Sequence, residues 1–365
     1  MSPLAAAPFA APFGVYVHVP FCTSRCDYCA FATWTDRHHL ADRYARAVVA
    51  EAGGAALAPA TSLFVGGGTP SQLPADLLAE IVAAVPLAPG AEVTVECNPD
   101  DATDVLLATW RGAGVTRVSL GVQSLDPVVL RGLGRRHDPE AVTRAVALVR
   151  DTGFPTWNLD LITGGAGEDG ASWQRTLDGT FTLDPPHLSA YCLTVEAGTP
   201  LAADPSRHPD EDEQADRYLW ADEVLQGRGL SWYEISNWAR PGHACRHNRL
   251  YWEQGDYRGL GCAAHSHAAG RRWWNVRTPE RYCELVEAGA AAVAGQEVLD
   301  DRARAQEALE LSLRTRHGVP AGALDPADAA LDGLVRADGD RLVLTARGRL
   351  LASEVSLRLR VPAPA

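Results

Sequence analysis

Three cysteines close together near the N-terminus have the clearest chemistry in the sequence. Cys22, Cys26 and Cys29 have the spacing C-x3-C-x2-C and begin three residues after a short β-rich run. Three thiolates so close are more than a disulfide needs, and soft thiolates select zinc or an iron–sulfur cluster. A structural zinc site takes four protein ligands, whereas an iron–sulfur cube held by three leaves one iron open to a small molecule. The alternative is a zinc site completed by His18 or Cys245.

Glycines and polar residues recur where successive β-rich runs end. Gly66-Gly67-Gly68-Thr69-Pro70 follows the second run, and its glycines would let backbone approach a ligand, although a tight turn is the alternative. It lacks the Gly-Lys-Ser/Thr of a P-loop. Polar residues at one end of consecutive parallel strands would line one pocket, in which carboxylates suit hydroxyls and amines and arginine suits a carboxylate. Structural salt bridges of Arg135 and Asp160 are the alternative. The polar set is Glu96, Gln123, Arg135 and Asp160.

Alternating strands and helices must position these residues. The strands are expected at Val15–Val19, Leu63–Val65, Val93–Glu96, Val115–Leu120, Thr156–Ile162 and His187–Leu193. The intervening helices are expected at Arg37–Leu57, Ala75–Val85, Asp104–Arg111, Pro139–Thr152 and Ser172–Phe181. Such βα units predict an α/β fold with a partial (β/α)6 TIM-like barrel.

The rest of the chain predicts two further regions. A long helix at Glu211–Gly227 and a strand at Leu230–Ile235 complete the barrel. We therefore expect a disordered leader over residues 1–12, the barrel over 13–235, a His- and aromatic-rich extension covering it over 236–300, and a small C-terminal winged-helix-like α+β appendage over 301–365. The appendage is predicted to contain helices at Arg302–Arg314, Pro326–Val335 and Ala346–Arg358.

Composition excludes several classes of function. The 365 residues carry a formal net charge of −13, which disfavours binding to nucleic acid or anionic membranes. Every side-chain cation except histidine is arginine, so lysine Schiff-base chemistry is excluded. The sequence contains no apolar run long enough to span a membrane and no secretory signal. Eight cysteines in so large a chain indicate a reducing compartment, and we expect a cytoplasmic protein.

Together with the glycine loop and the polar strand ends, the cysteine spacing resembles that of the radical S-adenosylmethionine superfamily. The resemblance implies a [4Fe-4S] cluster on Cys22, Cys26 and Cys29, whose open iron is chelated by the methionyl amino and carboxylate groups. One electron from the cluster then cleaves the sulfonium to give a 5′-deoxyadenosyl radical. It also implies an electron donor such as flavodoxin or ferredoxin.

The match extends over most of the chain to the oxygen-independent coproporphyrinogen III oxidase-like family. It rests on Tyr16–Cys22, Gly66–Ser71, Glu96–Pro99, Gly121–Ser124, Asn158–Ile162 and His187–Glu196. The family's S-adenosylmethionine contacts fall on Tyr16, Tyr28, Gly68, Thr69, Glu96, Gln123, Arg135 and Asp160. The ring of Tyr28 could stack on adenine, with core packing as the alternative. In place of the family's N-x-D-L-I-Y-G-L-P-G, this chain has Thr163-Gly164-Gly165-Ala166 after Ile162, which predicts a more flexible loop.

Two features separate the branches of that family. The decarboxylating oxidases carry a fourth cysteine where this chain has Phe31. In the heme-chaperone branch, the motif H-N-x-x-Y-W is associated with heme binding. This chain matches it at His247-Asn248-Arg249-Leu250-Tyr251-Trp252. His243, Cys245, His265 and His267 could also ligate iron. A buried hydrogen-bonded pair of His247 and Tyr251 is the alternative to heme contacts by His247, Asn248, Tyr251 and Trp252.

The resemblance therefore implies a heme chaperone with heme as cargo and a heme-acceptor protein, such as a membrane-bound respiratory one, as partner. Whether it is also an enzyme stays open. The competing hypothesis is oxidative decarboxylation of coproporphyrinogen III in porphyrin biosynthesis, which the cysteine missing at Phe31 disfavours.

Overall fold

A computed structural model describes residues 12–325 and 327–361, so all but the last residue of the expected leader lie outside it. The first half of the chain alternates strands and helices as expected. The strands are β1 (Phe13–Val19), β2 (Ala60–Gly67), β3 (Leu87–Cys97), β4 (Arg117–Gln123), β5 (Thr156–Thr163) and β6 (His187–Cys192). The helices are α1 (Ala41–Gly54), α2 (Ala75–Ala84), α3 (Asp104–Gly112), α4 (Pro127–Gly132), α5 (Pro139–Asp151) and α6 (Gly170–Thr182).

The strands β1 to β6 pair in chain order, and every pairing between them is parallel. Their carboxyl ends therefore meet at one edge of the sheet, where catalytic and binding residues of such folds collect. The predicted α/β partial (β/α)6 barrel is confirmed. It stays open because β6 pairs with an antiparallel strand rather than closing onto β1.

Side chains alternate between the two faces of β1. Val15, Val17 and Val19 are fully buried under the helices, whereas Tyr16 and His18 face the interior of the barrel. Several of the helices begin with an aspartate at the N-cap position. Asp126 accepts hydrogen bonds from the first turn of α4, and Asp169 forms a capping box with Ser172 at the start of α6.

The chain after the barrel extends both edges of this sheet. The elements are α7 (Glu211–Gly227), β7 (Ser231–Glu234), β8 (Asn237–Ala239), α8 (Arg246–Trp252), β9 (Asp256–Leu260), β10 (His265–Ala268), β11 (Arg271–Asn275), α9 (Pro279–Glu287) and β12 (Val293–Val298). β8 and β7 continue beyond β6, while β9 pairs with β1 in parallel and leads out to β10, β11 and β12. The predicted extension thus continues the sheet as well as adding α8 to the barrel.

A smaller unit ends the chain and has an apolar core of its own. It contains α10 (Asp301–Leu313), β13 (Val319–Pro320), β14 (Val335–Asp338), β15 (Arg341–Leu344), α11 (Ala346–Leu350) and α12 (Ala352–Ser356). Its strands pair in the order β13-β15-β14, and its core includes Leu313, Leu344 and Val355. These helices and the antiparallel hairpin of β14 and β15 correspond to the winged-helix-like appendage predicted from the sequence. In the described part of the chain, no helix is both long and apolar enough to cross a bilayer.

Two helices predicted in this unit were wrong. At Pro326–Val335, the described residues form a single 3-10 turn at Ala329–Leu331, because Gly333 takes the left-handed φ of 73° and ends any helix before β14. The predicted final helix at Ala346–Arg358 is broken into α11 and α12 at Leu351, whose angles (φ −108°, ψ 24°) are not helical. The predicted strands and earlier helices exist with shifted ends, and Glu211–Gly227 is the helix predicted.

A buried ion pair fastens the C-terminal unit to the barrel. Arg349 of α11 donates two hydrogen bonds to Asp222 of α7, at 2.6 and 2.8 Å, and both side chains are 6% exposed. The indole N–H of Trp238 donates to the same carboxylate at 2.8 Å, and the guanidinium lies 4.3 Å from the ring centre of Trp232. The pair therefore joins side chains of both units in one network.

We expect Arg349→Ala to cost about 3–5 kcal/mol of unfolding free energy, because it leaves the Asp222 carboxylate buried without its counter-charge. Urea unfolding measures the loss. The matched control is Arg336→Ala, since Arg336 pairs with Asp338 on the surface, and it should change stability by less than about 0.5 kcal/mol. Equal effects of the two substitutions would contradict a joining role for Arg349.

Candidate functional site at the barrel mouth

The three cysteines lie on the loop that follows β1. The loop is fastened at its base, where the Cys22 amide donates to the Trp34 carbonyl (3.1 Å) and the Trp34 amide to that of Pro20 (2.8 Å). All eight cysteines of the chain are described and are free thiols. Burial raises the pKa of the Cys22 and Cys29 thiols, so a positively charged metal centre is needed to bring them to the thiolate form at neutral pH.

The glycine loop after β2 packs directly against the cysteine loop. The amide of Gly68 donates to the Val19 carbonyl at 2.7 Å, and that of Thr69 donates to the Phe21 carbonyl at 2.8 Å. The hydroxyl of Thr69 lies 3.4 Å from the sulfur of Cys22. A Cβ atom on Gly68 would lie 2.8–3.0 Å from these carbonyl oxygens and that sulfur, so no side chain fits. The glycine is required by this close approach.

A cavity of about 910 Å³ opens at the carboxyl ends of the strands. Its wall contains the three cysteines and all but one of the side chains predicted to contact S-adenosylmethionine. Those present are Tyr28, Gly68, Thr69, Glu96, Gln123, Arg135 and Asp160. The exception is Tyr16, which lies inside the barrel and bonds His18 Nδ1 at 3.1 Å.

Two buried carboxyl groups, those of Glu96 and Asp160, line this cavity. Burial, with a smaller contribution from Asp160, raises the pKa of Glu96 to about 8, and the one hydrogen bond it accepts from Gly67 (3.3 Å) opposes the shift. Burial also raises the pKa of Asp160, against hydrogen bonds from Ser119 (2.7 Å) and Asn158 (2.8 Å). Carboxyl groups with so few donors are suited to accept hydrogen bonds from a ligand's hydroxyl or amino groups.

Arg135 is one of three arginines in the cavity wall, with Arg25 and Arg136. It donates to the Asn98 side chain (2.7 Å) and the Gly121 carbonyl (2.8 Å), and lies 3.6 Å from the Cys26 sulfur. Among the described residues neither Arg135 nor Asp160 forms an ion pair, so the salt-bridge alternative finds no support in these contacts. Gln123 has the left-handed φ of 65° at the end of β4, a costly conformation for a residue with a side chain.

Some cavity residues were not predicted from the sequence, although they also lie at the carboxyl ends of strands. Tyr191 and Cys192 end β6 and line the cavity, as do Cys97 at the end of β3 and Asn98 after it. Tyr28 lines the cavity and also packs against an apolar cluster containing Leu133 and Leu193, so ring stacking and core packing are compatible there.

The atypical loop after β5 has contacts that hold it, despite its glycines. Glu168 accepts hydrogen bonds from the Thr163 hydroxyl at 2.8 Å and the Gly164 amide at 2.6 Å. The side-chain amide of Gln214 donates to the Thr163 carbonyl at 3.0 Å. The loss of the family's Tyr and Leu-Pro is therefore partly offset by polar anchors.

The H-N-x-x-Y-W motif forms α8 at the opposite end of the barrel from the cysteines. Glu92, in the N-terminal part of β3, accepts the amides of Arg246 (2.7 Å) and His247 (3.4 Å). The His247 ring bonds Ser62 through Nδ1 at 2.9 Å and Tyr251 through Nε2 at 2.8 Å. This is the buried His247–Tyr251 pair of the alternative interpretation, and burial lowers the pKa of His247 to about 3.

The remaining motif residues separate onto other surfaces. Asn248 donates to Glu234 at 2.9 Å, and Trp252 lines a second cavity on the outer side of α8. Of the flanking candidates, Cys245 lies beside Glu92 and His243 bonds Thr156, which places both near the N-terminal ends of the strands. His265 and His267 are on β10 near the sheet edge. None of these predicted heme contacts lines the mouth cavity.

A chain of buried hydrogen bonds runs through the barrel between its two ends. Asp160 bonds Asn158 at 2.8 Å, and Asn158 bonds His187 at 2.5 Å. His187 Nε2 then bonds the hydroxyl of Tyr233 at 2.8 Å. The same hydroxyl accepts a hydrogen bond from the side-chain amide of Asn248 at 3.5 Å. These hydrogen bonds link the mouth to α8 through the barrel interior, where Thr94 Oγ1 and one guanidinium nitrogen of Arg117 are buried without a partner among the described residues.

Comparison with known proteins agrees with this geometry. Residues 16–178 match the radical SAM superfamily. The chain is 44% identical to the protein named heme chaperone HemW of Mycobacterium tuberculosis, over 94% of each chain, and 35% identical to that of Synechocystis, over 84% of this chain and 79% of the relative. The chain belongs to the HemW family of radical SAM proteins. The structure of Escherichia coli coproporphyrinogen III oxidase HemN is 24% identical, with a TM-score of 0.83 over 95% of this chain and 89% of that one, and shows the same fold.

The donor set of this HemW-family chain fits an iron–sulfur cube better than zinc. Cys245 is at the other end of the barrel and the His18 ring already bonds Tyr16 and the Ala32 carbonyl (2.9 Å), so neither completes a zinc site with the triad. In residues 12–325 and 327–361, no three His, Cys, Asp or Glu side chains converge closely enough for a single ion. A cube instead bonds each thiolate to a different iron and needs them further apart.

Glu96→Gln should make the stability of the metal-free protein less sensitive to pH. Folding raises the pKa of Glu96 from 4.5 to about 8, so ionisation disfavours the folded state increasingly over that range and no further above it. The variant should therefore gain stability over the wild type as pH rises, by at most about 1.4 kcal/mol per pH unit and by less where cavity water screens the charge. Urea unfolding across this range measures the difference.

The control is Glu223→Gln in the middle of α7, which removes an exposed carboxyl group outside the cavity and should change stability by less than about 0.5 kcal/mol. If wild type and Glu96→Gln differ by a constant amount at every pH, folding does not shift the pKa of Glu96 and its environment is not what the structure indicates.

Proposed function

We propose that this chain is a heme chaperone that carries a [4Fe-4S] cluster on Cys22, Cys26 and Cys29 and binds S-adenosylmethionine in the mouth cavity. The observation that carries the proposal is the 44% identity, over 94% of both chains, to a protein named a heme chaperone. A match of that extent includes most of the chain beyond residue 178, where the radical SAM match ends. The proposed cargo is heme, delivered to an acceptor protein such as a membrane-bound respiratory one.

The residues of the mouth suit both proposed cofactors. When bound, the cluster would offer an open iron to the methionyl group and supply single electrons, received from a donor of the flavodoxin or ferredoxin class. Arg135 would pair with the methionyl carboxylate, and Glu96 and Asp160 would accept hydrogen bonds from amino and ribose hydroxyl groups. The glycine loop would bring backbone against the ligand, with Thr69 beside the Cys22 sulfur. Tyr16 is the one assigned contact outside the wall of this cavity, and it lines the smaller interior cavity that shares Glu96 and Asp160 with the mouth.

Phe31 supports the chaperone over the decarboxylating oxidase. It lies at the rim of the mouth cavity, 65% exposed, at the position where those oxidases carry a fourth cysteine. The likeness to HemN extends to the fold and does not distinguish the two functions. We also propose the domain boundaries expected from the sequence, which the separate core of the C-terminal unit supports near residue 301, and a cytoplasmic location.

Replacing any one of Cys22, Cys26 and Cys29 by alanine should abolish cluster assembly, because two thiolates cannot hold the cube. Anaerobic reconstitution followed by iron and sulfide analysis should give about four irons per wild-type chain and almost none per variant. Cys97→Ala and Cys192→Ala are matched controls, since both thiols line the same cavity outside the motif, and they should retain the full iron content. A Cys22→Ala protein with four irons would show that the ligands are assigned wrongly.

The reconstituted protein should bind hemin and leave coproporphyrinogen III unchanged. Absorption titration with hemin, with and without S-adenosylmethionine, tests the first expectation. An anaerobic assay with coproporphyrinogen III, S-adenosylmethionine and a reductant tests the second. Formation of protoporphyrinogen over many turnovers would overturn the chaperone in favour of the oxidase, and a wild-type protein that binds no hemin would remove the basis for a heme carrier.

A further inference from the structure

A second cavity lies between the outer side of α8 and the C-terminal unit. Its volume is about 500 Å³, within the range of small-molecule sites. One wall is built by β7 and the segment that contains α8, and the other by α10, the residues after it and β15. The wall includes Glu234, Arg249, Trp252, Arg316, His317 and Arg341.

The charges of this cavity favour a ligand with carboxylates. Arg341 donates to the carbonyls of His317 (2.5 Å) and Gly318 (2.7 Å), and in the described part of the chain neither Arg341 nor Arg316 pairs with a carboxylate. The acidic groups nearby are already engaged. Glu253 pairs with Arg249 at 2.8 Å, and Glu234 is buried and bonded to Asn237 and Asn248. The two arginines are thus left with donors for an incoming anion.

The same wall provides an imidazole and a large aromatic surface. His317 is exposed, and within the described residues its ring makes no hydrogen bond, in contrast to His247, both of whose nitrogens are bonded. Desolvation and then Arg316 and Arg249 lower the pKa of His317, which keeps the imidazole neutral and able to ligate a metal at neutral pH. Trp252 can pack against a flat ring system.

We propose that this outer cavity holds the cargo, with His317 as an axial ligand to heme iron, Arg316 and Arg341 bound to the propionates, and Trp252 against the porphyrin face. The inference rests on the proposed chaperone function and names its cargo site. It assigns to the H-N-x-x-Y-W helix two different tasks. The inner residues His247 and Tyr251 position the helix on the barrel, and the outer residue Trp252 contacts the ligand.

The test compares hemin with metal-free protoporphyrin IX, titrated into the reconstituted full-length protein. His317→Ala should weaken hemin binding about tenfold and change its Soret absorption while leaving protoporphyrin binding unaltered, because only hemin offers iron. The double variant Arg316→Ala/Arg341→Ala should weaken both ligands by about tenfold or more, since both carry propionates.

The matched controls replace exposed residues of the same types, histidine and arginine, that lie outside the cavity. His39→Ala removes another exposed imidazole, and Arg336→Ala/Arg347→Ala removes two exposed arginines of the C-terminal unit. Both should bind either ligand as the wild type does. Cluster absorption in every variant reports that the chain is folded.

The possible failures are distinguishable. If the wild type binds hemin and the His317 and arginine variants bind it equally well, the outer cavity is not the cargo site, although the chaperone function stands. Loss of binding in His247→Ala with an intact cluster, and in no other variant, would place heme on the inner side of α8 and overturn the assignment in the same way. If the wild type itself binds no hemin, both the function and the site are wrong.

Discussion

The close approach of two backbone loops at the barrel mouth is the constraint on which the site depends. β1 and β2 run side by side in parallel, so the cysteine loop and the glycine loop leave the sheet next to each other. Amides of the glycine loop donate to carbonyls of Val19 and Phe21, and Gly68 sits where any Cβ would collide with them and with the Cys22 sulfur. The position of the first thiol is thereby tied to the sheet itself rather than to a mobile loop.

Between this mouth and α8 the barrel interior contains a smaller cavity of about 150 Å³, which shares Glu96 and Asp160 with the mouth cavity and reaches His247 and Tyr251. A chain of hydrogen bonds runs through the interior from Asp160 through Asn158 and His187 to Tyr233. Because each buried partner fixes the orientation of the next, the network holds α8 in register with the strands and stabilises a unique packing of an otherwise costly polar core. Tyr233 also lines the outer cavity, so the same residue is in contact with both the interior and the surface proposed to bind heme.

Sequence reasoning succeeded where local pattern determines structure. The triad, the glycine loop and the polar strand ends could be placed together because parallel strands present their carboxyl ends on one edge. It missed the inward direction of Tyr16, although the alternation Val15, Tyr16, Val17 contains that signal. The sequence could not predict where α8 lies. A seven-residue helix that follows an antiparallel strand can pack at either end of the sheet, and its residue pattern does not distinguish the two. The i, i+4 spacing of His247 and Tyr251 does predict their contact.

The separation of the two ends bears on what kind of protein this is. β1 has seven residues, which at about 3.3 Å per residue places the cysteines and α8 roughly 20 Å apart along the strand. Abstraction of a hydrogen atom requires contact between the reacting atoms. A tetrapyrrole on the outer side of α8 would lie beyond the reach of any chemistry at the cysteines. Chemistry at the mouth and cargo at the far side would then be coupled through the side chains of the barrel interior. That arrangement suits a carrier whose hold on its ligand is regulated better than an enzyme that must transform the ligand.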